Sequence, residues 1–275
     1  MRVSRVESAI RNVLAVLVVA FFLMPIVWLF TTSFKLQRDT FQLPPLWLGF
    51  QPTLNNFAFA INQIQVGRFV LNSVIISAGT TLASVVLGTL GGYAVSRSRL
   101  RFVGASSYFF LVLLMIPPVA MLVPFYLIMR DLGLLGTYWA VIILDTVYNA
   151  PFVVWMMSNY FRTVSTEMEQ AALVDGASHF QAFYLVALPL AVPGIIASVL
   201  YCLIFSWNDF IFALLLTSPT TKTVPLAIMG QFSTAQLQWG YMAALSMFAV
   251  LPVLLVALVL NRYFVQGLTA GATKG

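Results

Sequence analysis

Long apolar runs with few or no charged residues alternate along this chain with short polar segments. A helix crosses a hydrocarbon layer of about 30 Å with roughly 20 residues, so runs of this length predict membrane-spanning helices. The pattern predicts six spans, at Asn12–Phe34, Phe69–Ser96, Phe102–Met129, Thr137–Phe161, Leu190–Thr217 and Tyr241–Leu260. We therefore expect an all-α, polytopic membrane protein whose residues 1–275 form a single transmembrane domain.

The second predicted span has small or hydroxyl residues at every third or fourth position, which places them on one face of the helix. Within this face, Gly88 and Gly92 form a G-x-x-x-G pair. Small residues let two helix backbones approach closely in lipid. The face is therefore predicted to pack against another helix, and the alternative is that it lines a substrate path.

The composition of the chain agrees with a membrane environment. Apolar residues make up 61% of its 275 residues and charged residues 8%, whereas soluble domains have roughly 45–50% and about 25%. This balance excludes a soluble enzyme, a fibrous protein and a disordered tail. The single cysteine, Cys202, and the single histidine, His179, provide neither an internal disulfide nor a metal-binding cluster. We expect no metal and no cofactor bound by this chain.

The basic residues predict which side of the membrane holds the two termini. Six spans place both termini on one side, together with nine basic residues: Arg2, Arg5, Arg11, Arg97, Arg99, Arg101, Arg162, Arg262 and Lys274. The other side has five, namely Lys35, Arg38, Arg68, Arg130 and Lys222. Basic residues favour the cytoplasmic side, especially in short loops. We therefore expect a multi-pass protein with both termini in the cytoplasm.

Two carboxylates lie inside predicted spans, Asp145 in the fourth and Asp209 in the fifth. A charge near the membrane centre costs about 2.5–3.5 kcal/mol on insertion scales, so both should face the bundle interior or water. Amide and aromatic side chains accompany them, and the candidate substrate-pathway residues are Asp145, Asn149, Trp207, Asn208 and Asp209. Acceptors for hydroxyl groups beside aromatic rings suit a sugar. A structural hydrogen bond between helices is the alternative role.

Buried carboxylates also occur in carriers driven by protons. Against that class, the six spans show no inverted hydropathy repeat, no basic partner inside the membrane and no histidine relay. The chain also has no Gly-Lys pair, and therefore no Walker A loop with which to bind ATP. A proton-coupled carrier and a catalytically silent membrane scaffold remain as alternative functions.

Residues 162–189, between the fourth and fifth spans, are acidic where the charge pattern predicts a basic cytoplasmic segment. Thr166, with Glu169 three residues later, predicts the capped start of a helix, and Gly176 predicts a sharp turn. A second short helix follows the turn. Two short helices with an alanine pair near the turn predict a compact knob, which would insert into a groove of another protein or lie on the membrane.

The knob sequence EMEQAALVDGA, followed by LPLAVPG, resembles the EAA loop of permease subunits in binding-protein-dependent ABC importers. The resemblance is strongest to the carbohydrate permeases related to the maltose system. It covers nearly the whole chain, in order, through LNSVIIS, YAVSRSR, MIPPVAMLVPFYLIMRDLGLLGTYWAVII, FSWNDFIFALLLTS and TVPLAI. The resemblance implies the ABC importer permease fold in the inner or plasma membrane of a prokaryote.

The resemblance also implies that the knob holds a coupling helix, which docks in a cleft of an ATPase subunit. The implied coupling residues are Glu167, Glu169, Gln170, Ala171, Ala172, Asp175 and Gly176. Gln170 stands where the family usually has Glu, and Glu169 is one position earlier. The resemblance therefore does not decide which side chain meets the ATPase.

The implied complex contains this chain, a second homologous permease subunit, two cytoplasmic ATPase subunits and an extracytoplasmic solute-binding protein, and no nucleic acid. ATP and Mg bind to the ATPase subunits, so this chain is a transport subunit and not an enzyme. We expect it to form half of the pathway for ATP-driven uptake of a mono-, di- or oligosaccharide. Uptake of glycerol phosphate or a polyol by the same type of complex is the alternative.

Overall fold

The computed structural model describes residues 5–98, 109–233 and 238–272, and these residues are mostly helical. In chain order the helices are α1 (Arg5–Ser33), α2 (Gln37–Thr40), α3 (Asn55–Asn62), α4 (Val66–Arg97), α5 (Pro118–Asp131), α6 (Tyr138–Thr163), α7 (Thr166–Val174), α8 (His179–Ala182), α9 (Leu188–Leu190), α10 (Val192–Trp207), α11 (Ile211–Leu216), α12 (Val224–Met229) and α13 (Trp239–Ala272). A π-helical segment, Phe183–Ala187, joins α8 to α9.

Four stretches of the described helices are long and apolar enough to cross a membrane: Ile10–Ser33, Val66–Arg97, Tyr138–Thr163 and Trp239–Val256. A bent pair, His179–Leu190 with Val192–Trp207, gives a fifth if it is counted as one span; its two halves meet at 73°. The first, second and fourth predicted spans thus correspond to α1, α4 and α6; their ends differ by one to three residues, except that α1 begins seven residues before the predicted Asn12.

The third predicted span, Phe102–Met129, is not one continuous helix. Residues 102–108 lie outside the described part of the chain; a short helix covers 109–113, and after a turn α5 begins. Pro117 is the residue before α5 and Pro118 its first residue. Proline has no N–H to donate and its fixed φ suits the first turn of a helix, so this pair ends one helical segment and starts the next.

The fifth predicted span, Leu190–Thr217, is also interrupted. Three residues, 208–210, separate the end of α10 from the start of α11. Asn208 and Asp209 therefore lie in a break and not inside a helix. The Asp209 carboxylate accepts hydrogen bonds from the backbone N–H groups of Phe212 and Ala213, at 3.2 and 2.9 Å. The first N–H groups of a helix have no partner within it, and Asp209 provides one for α11.

The sixth predicted span, Tyr241–Leu260, lies within α13, which runs from Trp239 to Ala272. The stretch Trp239–Val256 of this helix is long and apolar enough to cross a membrane. Hydropathy predicts where a helix leaves the lipid and not where its backbone hydrogen bonds stop, so a helix longer than its span agrees with the prediction.

The chain divides into two compact units, and the first comprises Met1–Gly67 with Ala227–Leu251. In it, Lys35 is 1% exposed, and its Nζ lies 3.9 Å from the centroid of the Trp28 ring. The Asn56 amide donates to the backbone carbonyls of Ser33 and Lys35, at 2.9 Å each. This amide therefore fixes the chain just after α1 against the start of α3.

The second unit comprises Arg68–Leu226 with Pro252–Gly275. Here the predicted packing face of α4 is confirmed, because its glycines lie directly against α6. A Cβ added at Gly88 would lie 2.4 Å from the Cβ of Val153, and one at Gly92 would lie 2.6 Å from that of Met157. Both distances are far below normal contact, so the two helices approach as closely as they do because these positions have no side chain.

Candidate coupling loop and polar cluster

The knob, residues 162–189, begins with α7, and Ser165 caps this helix. The Ser165 hydroxyl accepts the backbone N–H of Glu167 at 3.2 Å. The predicted cap at Thr166, paired with Glu169, is therefore wrong by one position: Thr166 is already helical and the Glu169 side chain is bound elsewhere. Three hydroxyl residues, Thr163, Ser165 and Thr166, lie close together at this point of the sequence. The sequence alone does not show which of them caps the helix.

The predicted turn at Gly176 is confirmed. Gly176 has φ +92°, a backbone conformation that side chains with a Cβ rarely adopt. Ser178 then caps α8 in a complete capping box: its hydroxyl accepts from the N–H of Gln181 at 3.3 Å, and the Gln181 side chain accepts from the N–H of Ser178 at 2.7 Å. The box that the sequence predicted for the first knob helix thus forms at the second.

The knob packs on the ends of α4 and α6 through the π-helical segment. The ring of Phe183 lies 4.6 Å from that of Tyr93 on α4, and 6.4 Å from that of Phe161 on α6, between centroids. Phe161, Phe183 and Ala187 are all buried in one apolar cluster. The inner side of the knob therefore belongs to the core of the second unit.

The implied coupling residues divide by exposure. Glu167, Gln170, Ala171, Asp175 and Gly176 are exposed, and Ala172 is half-buried. Large apolar side chains are exposed on the same segment, namely Met168, Val174, Phe180, Tyr184 and Leu185, and Val174 is 88% exposed. Apolar side chains clustered on a surface indicate contact with another protein or with a membrane. We call this set of five apolar residues the outer face of the knob.

Glu169 differs from these residues because it points into the chain. It is 7% exposed. Its Oε2 accepts the hydroxyl of Tyr93 at 2.7 Å, and its Oε1 accepts Nε of Arg97 at 3.0 Å as well as the adjacent Nη2. From the sequence alone, Arg97 is identified only as one of the basic residues that predict the membrane topology. The spacing between α4 and the knob, more than seventy residues in the chain, gives no signal of this contact.

Asp145 and Asn149, predicted as pathway residues, are both buried on α6. Asp145 is 1% exposed, and its Oδ2 accepts the hydroxyls of Ser206 on α10 at 2.5 Å and Thr80 on α4 at 3.5 Å. Asn149 donates to the backbone carbonyl of Asp145 at 2.8 Å. The second oxygen of Asp145 and the side-chain oxygen of Asn149 have no hydrogen-bond partner within the described residues. The cluster links three helices inside the second unit.

The other three pathway candidates have different surroundings. Trp207 is buried, Asn208 is exposed and donates to the carbonyl of Ile204 at 2.7 Å, and Asp209 is bonded to the start of α11. The sequence analysis missed Ser206 and Thr80, the two hydroxyl donors. Only the packing of α4 and α10 against α6 brings them to Asp145, so no local pattern could have identified them.

A row of aromatic rings also lies between α6 and α10, and the sequence analysis did not identify it. Phe152 stacks on Tyr201 with centroids 3.9 Å apart, and Tyr148 stacks on Phe205 at 5.4 Å. Tyr201 and Phe205 are themselves 5.7 Å apart. Their recurrence at steps of four on each helix was a signal that the sequence analysis could have used.

Long apolar helices and helix-to-helix packing through glycine define a polytopic membrane protein. Residues 84–270 match the family described as binding-protein-dependent transport system inner membrane component. The chain therefore belongs to this family of ABC transporter permease subunits, as the sequence resemblance predicted.

Similar proteins match along almost the full chain. The trehalose/maltose transport system permease protein MalG of Thermococcus litoralis is 30% identical over 277 residues, which cover 98% of this chain and 99% of that protein. The trehalose transport system permease protein SugB of Mycobacterium tuberculosis is 32% identical over 273 residues, 96% of each. A crystal structure of a bacterial ABC transporter involved in the import of the acidic polysaccharide alginate matches with a TM-score of 0.78 at 23% identity, over 96% of this chain and 98% of that one. That structural match shows the shared fold.

Proposed function

We propose that this chain is the transmembrane subunit of an ABC importer and forms half of the pathway for ATP-driven uptake of a sugar. The observation that carries the proposal is the end-to-end match to permeases named for trehalose and maltose, which covers 98% of this chain and 99% of one relative. A second relative, 32% identical over 96% of this chain, is also named for trehalose transport and supports the same substrate class. A solute-binding protein delivers the sugar from outside the cell.

We further propose six spans with both termini in the cytoplasm. The four described spans support four of the six, and α10, the second half of the bent pair, lies within the predicted fifth span. The predicted start of the remaining span, Phe102, lies outside the described residues, and its later part contains the short helix at 109–113 and α5. The excess of basic residues on the terminal side supports a cytoplasmic location of the knob, where an ATPase is available.

The knob then docks on one of two ATPase subunits, which bind ATP and Mg. Its outer face supplies apolar contact, and the exposed Gln170 and Glu167 lie on the same helix. ATP binding closes the ATPase pair, carries the knobs of this chain and of a second, homologous permease together, and opens the cavity to the binding protein. Hydrolysis of ATP returns the cavity to the inside.

The five pathway candidates remain part of the proposal, and their burial divides them. Asp145, Asn149 and Trp207 are closed within the chain and reach a sugar only when α6 and α10 separate during the cycle. Asn208 and the partly exposed Asp209 lie at the break between α10 and α11. A break in a membrane helix is tolerated where it lines a cavity or is covered by protein, which makes these two the directly accessible pair.

Uptake by the reconstituted complex tests the proposal. This chain, the second permease and the ATPase are placed in vesicles, and uptake of labelled trehalose and maltose is measured with the binding protein outside and ATP inside. Uptake should require ATP and survive a protonophore. Uptake that collapses with the proton gradient at constant ATP would instead establish a proton-coupled carrier. ATP-dependent uptake of labelled glycerol phosphate or of a labelled polyol, with no uptake of either sugar, would establish the alternative substrate class.

A further inference from the structure

Arg97, the last residue of α4, connects three elements of the second unit. Its Nη1 donates to the backbone carbonyl of Phe161 at 2.9 Å, and its Nη2 donates to that of Val164 at 3.2 Å. Both carbonyls are at the C-terminal end of α6. The same guanidinium holds the Glu169 carboxylate of the knob. One side chain therefore joins the end of α4, the end of α6 and the first helix of the knob.

The chemistry of each contact makes this junction firm. The last carbonyls of a helix have no partner within it, and an arginine satisfies them while its charge is favourable at that end of the helix. The Glu169 carboxylate accepts charge-assisted hydrogen bonds, which are about twice as strong as neutral ones. The side chains of Arg97 and Glu169 are only 16% and 9% exposed, so water screens the pair far less than it screens a surface ion pair.

The junction crosses the short link between α6 and the first helix of the knob. Helix α6 ends at Thr163 and α7 begins at Thr166, so only two residues connect the knob to the membrane helix. Val164, the first of them, has an extended backbone, with φ −82° and ψ 123°. Arg97 binds the carbonyls of Phe161 and Val164 at the α6 end of this link, and it binds the Glu169 carboxylate beyond the other end. Tyr93 adds a hydroxyl to Glu169 and ring contacts to Phe161.

We propose that Glu169, Arg97 and Tyr93 form a clamp that transmits the movement of the knob to α4 and α6. The proposal rests on the proposed function, since it assigns how ATP-driven movement of the knob reaches the membrane helices. The clamp ties α7 directly to α4 and α6; without it, transmission would depend on the two-residue link and on the apolar packing of Phe183 against Tyr93 and Phe161. Glu169 is thus a positioning residue and not a contact to the ATPase. The outer face of the knob and exposed neighbours such as Gln170 make the contact with the ATPase.

The variant Glu169→Gln tests the clamp, because it retains the shape of the side chain and removes the charge. The purified complex should retain its ATPase subunits and hydrolyse ATP in response to the loaded binding protein. Trehalose imported per ATP hydrolysed should fall roughly tenfold, since the knob moves without moving α4 and α6. Arg130→Gln is the matched control: it breaks an exposed pair, Arg130 with Asp131 at 2.8 Å, and should leave the ratio unchanged.

Two results would overturn the clamp. If Glu169→Gln released the ATPase from the complex, Glu169 would be a docking contact; if trehalose per ATP stayed at the wild-type value, the contact would be merely structural. Arg97→Gln and the double variant extend the test, because residues that act as one unit give non-additive effects. The double variant should be no worse than the poorer single variant, and additive losses would show that the two residues act independently.

A milder variant covers the case in which Glu169→Gln does not assemble. Tyr93→Phe removes one hydroxyl and retains the ring against Phe161 and Phe183. It should lower trehalose per ATP roughly threefold, and an unchanged ratio would refute the clamp. Different results would refute the clamp and the proposed function. If the wild-type complex showed no ATP-dependent uptake, the function would be wrong, whereas normal uptake by all clamp variants would refute the clamp alone.

Discussion

Asp145 and Asp209 appear alike in the sequence, as single acids in long apolar runs, yet the structure gives them different surroundings. Asp145 is enclosed and receives the Ser206 hydroxyl from another helix. Asp209 caps a short helix and is partly exposed. Sequence could predict that both acids avoid lipid, because that follows from the cost of charge in a membrane. It could not predict the partner of Asp145, which depends on how three helices meet.

The variant Asp209→Asn separates a sugar contact from a structural role. Asparagine caps helices as well as aspartate does, so the free energy of unfolding should change little. If the carboxylate accepts sugar hydroxyls, uptake at limiting trehalose should fall roughly ten- to a hundredfold, because a charge-assisted hydrogen bond is lost. Uptake kinetics and the melting temperature (Tm) of the detergent-solubilised complex are the measurements.

Ser206→Ala is the comparison for this prediction, since it removes the donor to buried Asp145. It should lower Tm, in line with a cost of about 1–3 kcal/mol for a buried acceptor without its partner, and leave the apparent affinity for sugar unchanged. The sugar-contact role of Asp209 would be contradicted by the reverse result: a lower Tm and an unchanged affinity in Asp209→Asn.

Lys35 makes the stability of the first unit dependent on pH. Burial lowers the pKa of Lys35 from its ordinary value of 10.5, and the nearby charge of Asp39 acts in the opposite direction. The unfolded chain therefore binds this proton more tightly than the folded chain does. As a result, the free energy of unfolding should rise with pH between the folded pKa and the ordinary value.

The measurement is the Tm of the wild-type protein minus that of Lys35→Met, from about pH 7 to about pH 10. The difference should shift in favour of the wild type as the pH rises, because methionine has no proton to lose. Arg38→Gln, which changes an exposed cation close by, should show no such trend. If the Tm difference between the wild type and Lys35→Met did not change with pH, burial of the Lys35 ammonium would not destabilise the folded protein.

At the scale of elements, apolar length predicted α1, α4 and α6 well, and the G-x-x-x-G pair predicted how α4 packs. The broken segments were missed for a physical reason. Residues on both sides of Asn208 and Asp209 are apolar, so the hydropathy stays high across a point where the helix is interrupted. The knob was predicted as two short helices around Gly176, whereas its first cap was placed one residue late.

Replacing one glycine of α4 with alanine tests the close approach of α4 to α6. In Gly92→Ala the new Cβ would lie 2.6 Å from the Cβ of Met157 and 2.9 Å from the backbone N of Ser158, so the helices must separate. We expect a loss of about 1–3 kcal/mol, the usual cost of overpacking, measured as a lower Tm.

Gly67→Ala is the matched control, because Gly67 is in the same helix and a Cβ there has nothing within 4 Å. Alanine favours a helix over glycine, so this variant should be neutral or slightly more stable. Equal Tm values for the two variants would show that α4 and α6 do not depend on the glycine contact.

At the scale of the whole molecule, the distribution of basic residues predicts orientation, and cysteine labelling tests it. In a Cys202→Ser background, Leu43→Cys should react with a membrane-impermeant maleimide in intact cells, because Leu43 is 86% exposed and predicted to be outside. Thr163→Cys, at the exposed start of the knob, should react only after the cells are permeabilised.

The structure also guides the choice of the outer position. Asn56 belongs to the same predicted outer segment, but it is buried and bonded to two carbonyls, so a cysteine there would report burial and not sidedness. Reaction of Thr163→Cys in intact cells, with Leu43→Cys protected, would invert the topology and place the knob outside, away from any ATPase.

Helix α1 has a consequence for how the protein is made. Among the most apolar 18 residues within Ile10–Ser33 none is buried inside the chain, whereas 44% and 56% of the corresponding residues of α4 and α6 are buried. A segment this apolar enters the bilayer without waiting for later helices. During synthesis, α1 is therefore ready to leave the insertion machinery as soon as it emerges, while α4, with hydroxyls at positions that α6 must cover, is complete only once its neighbour has been translated.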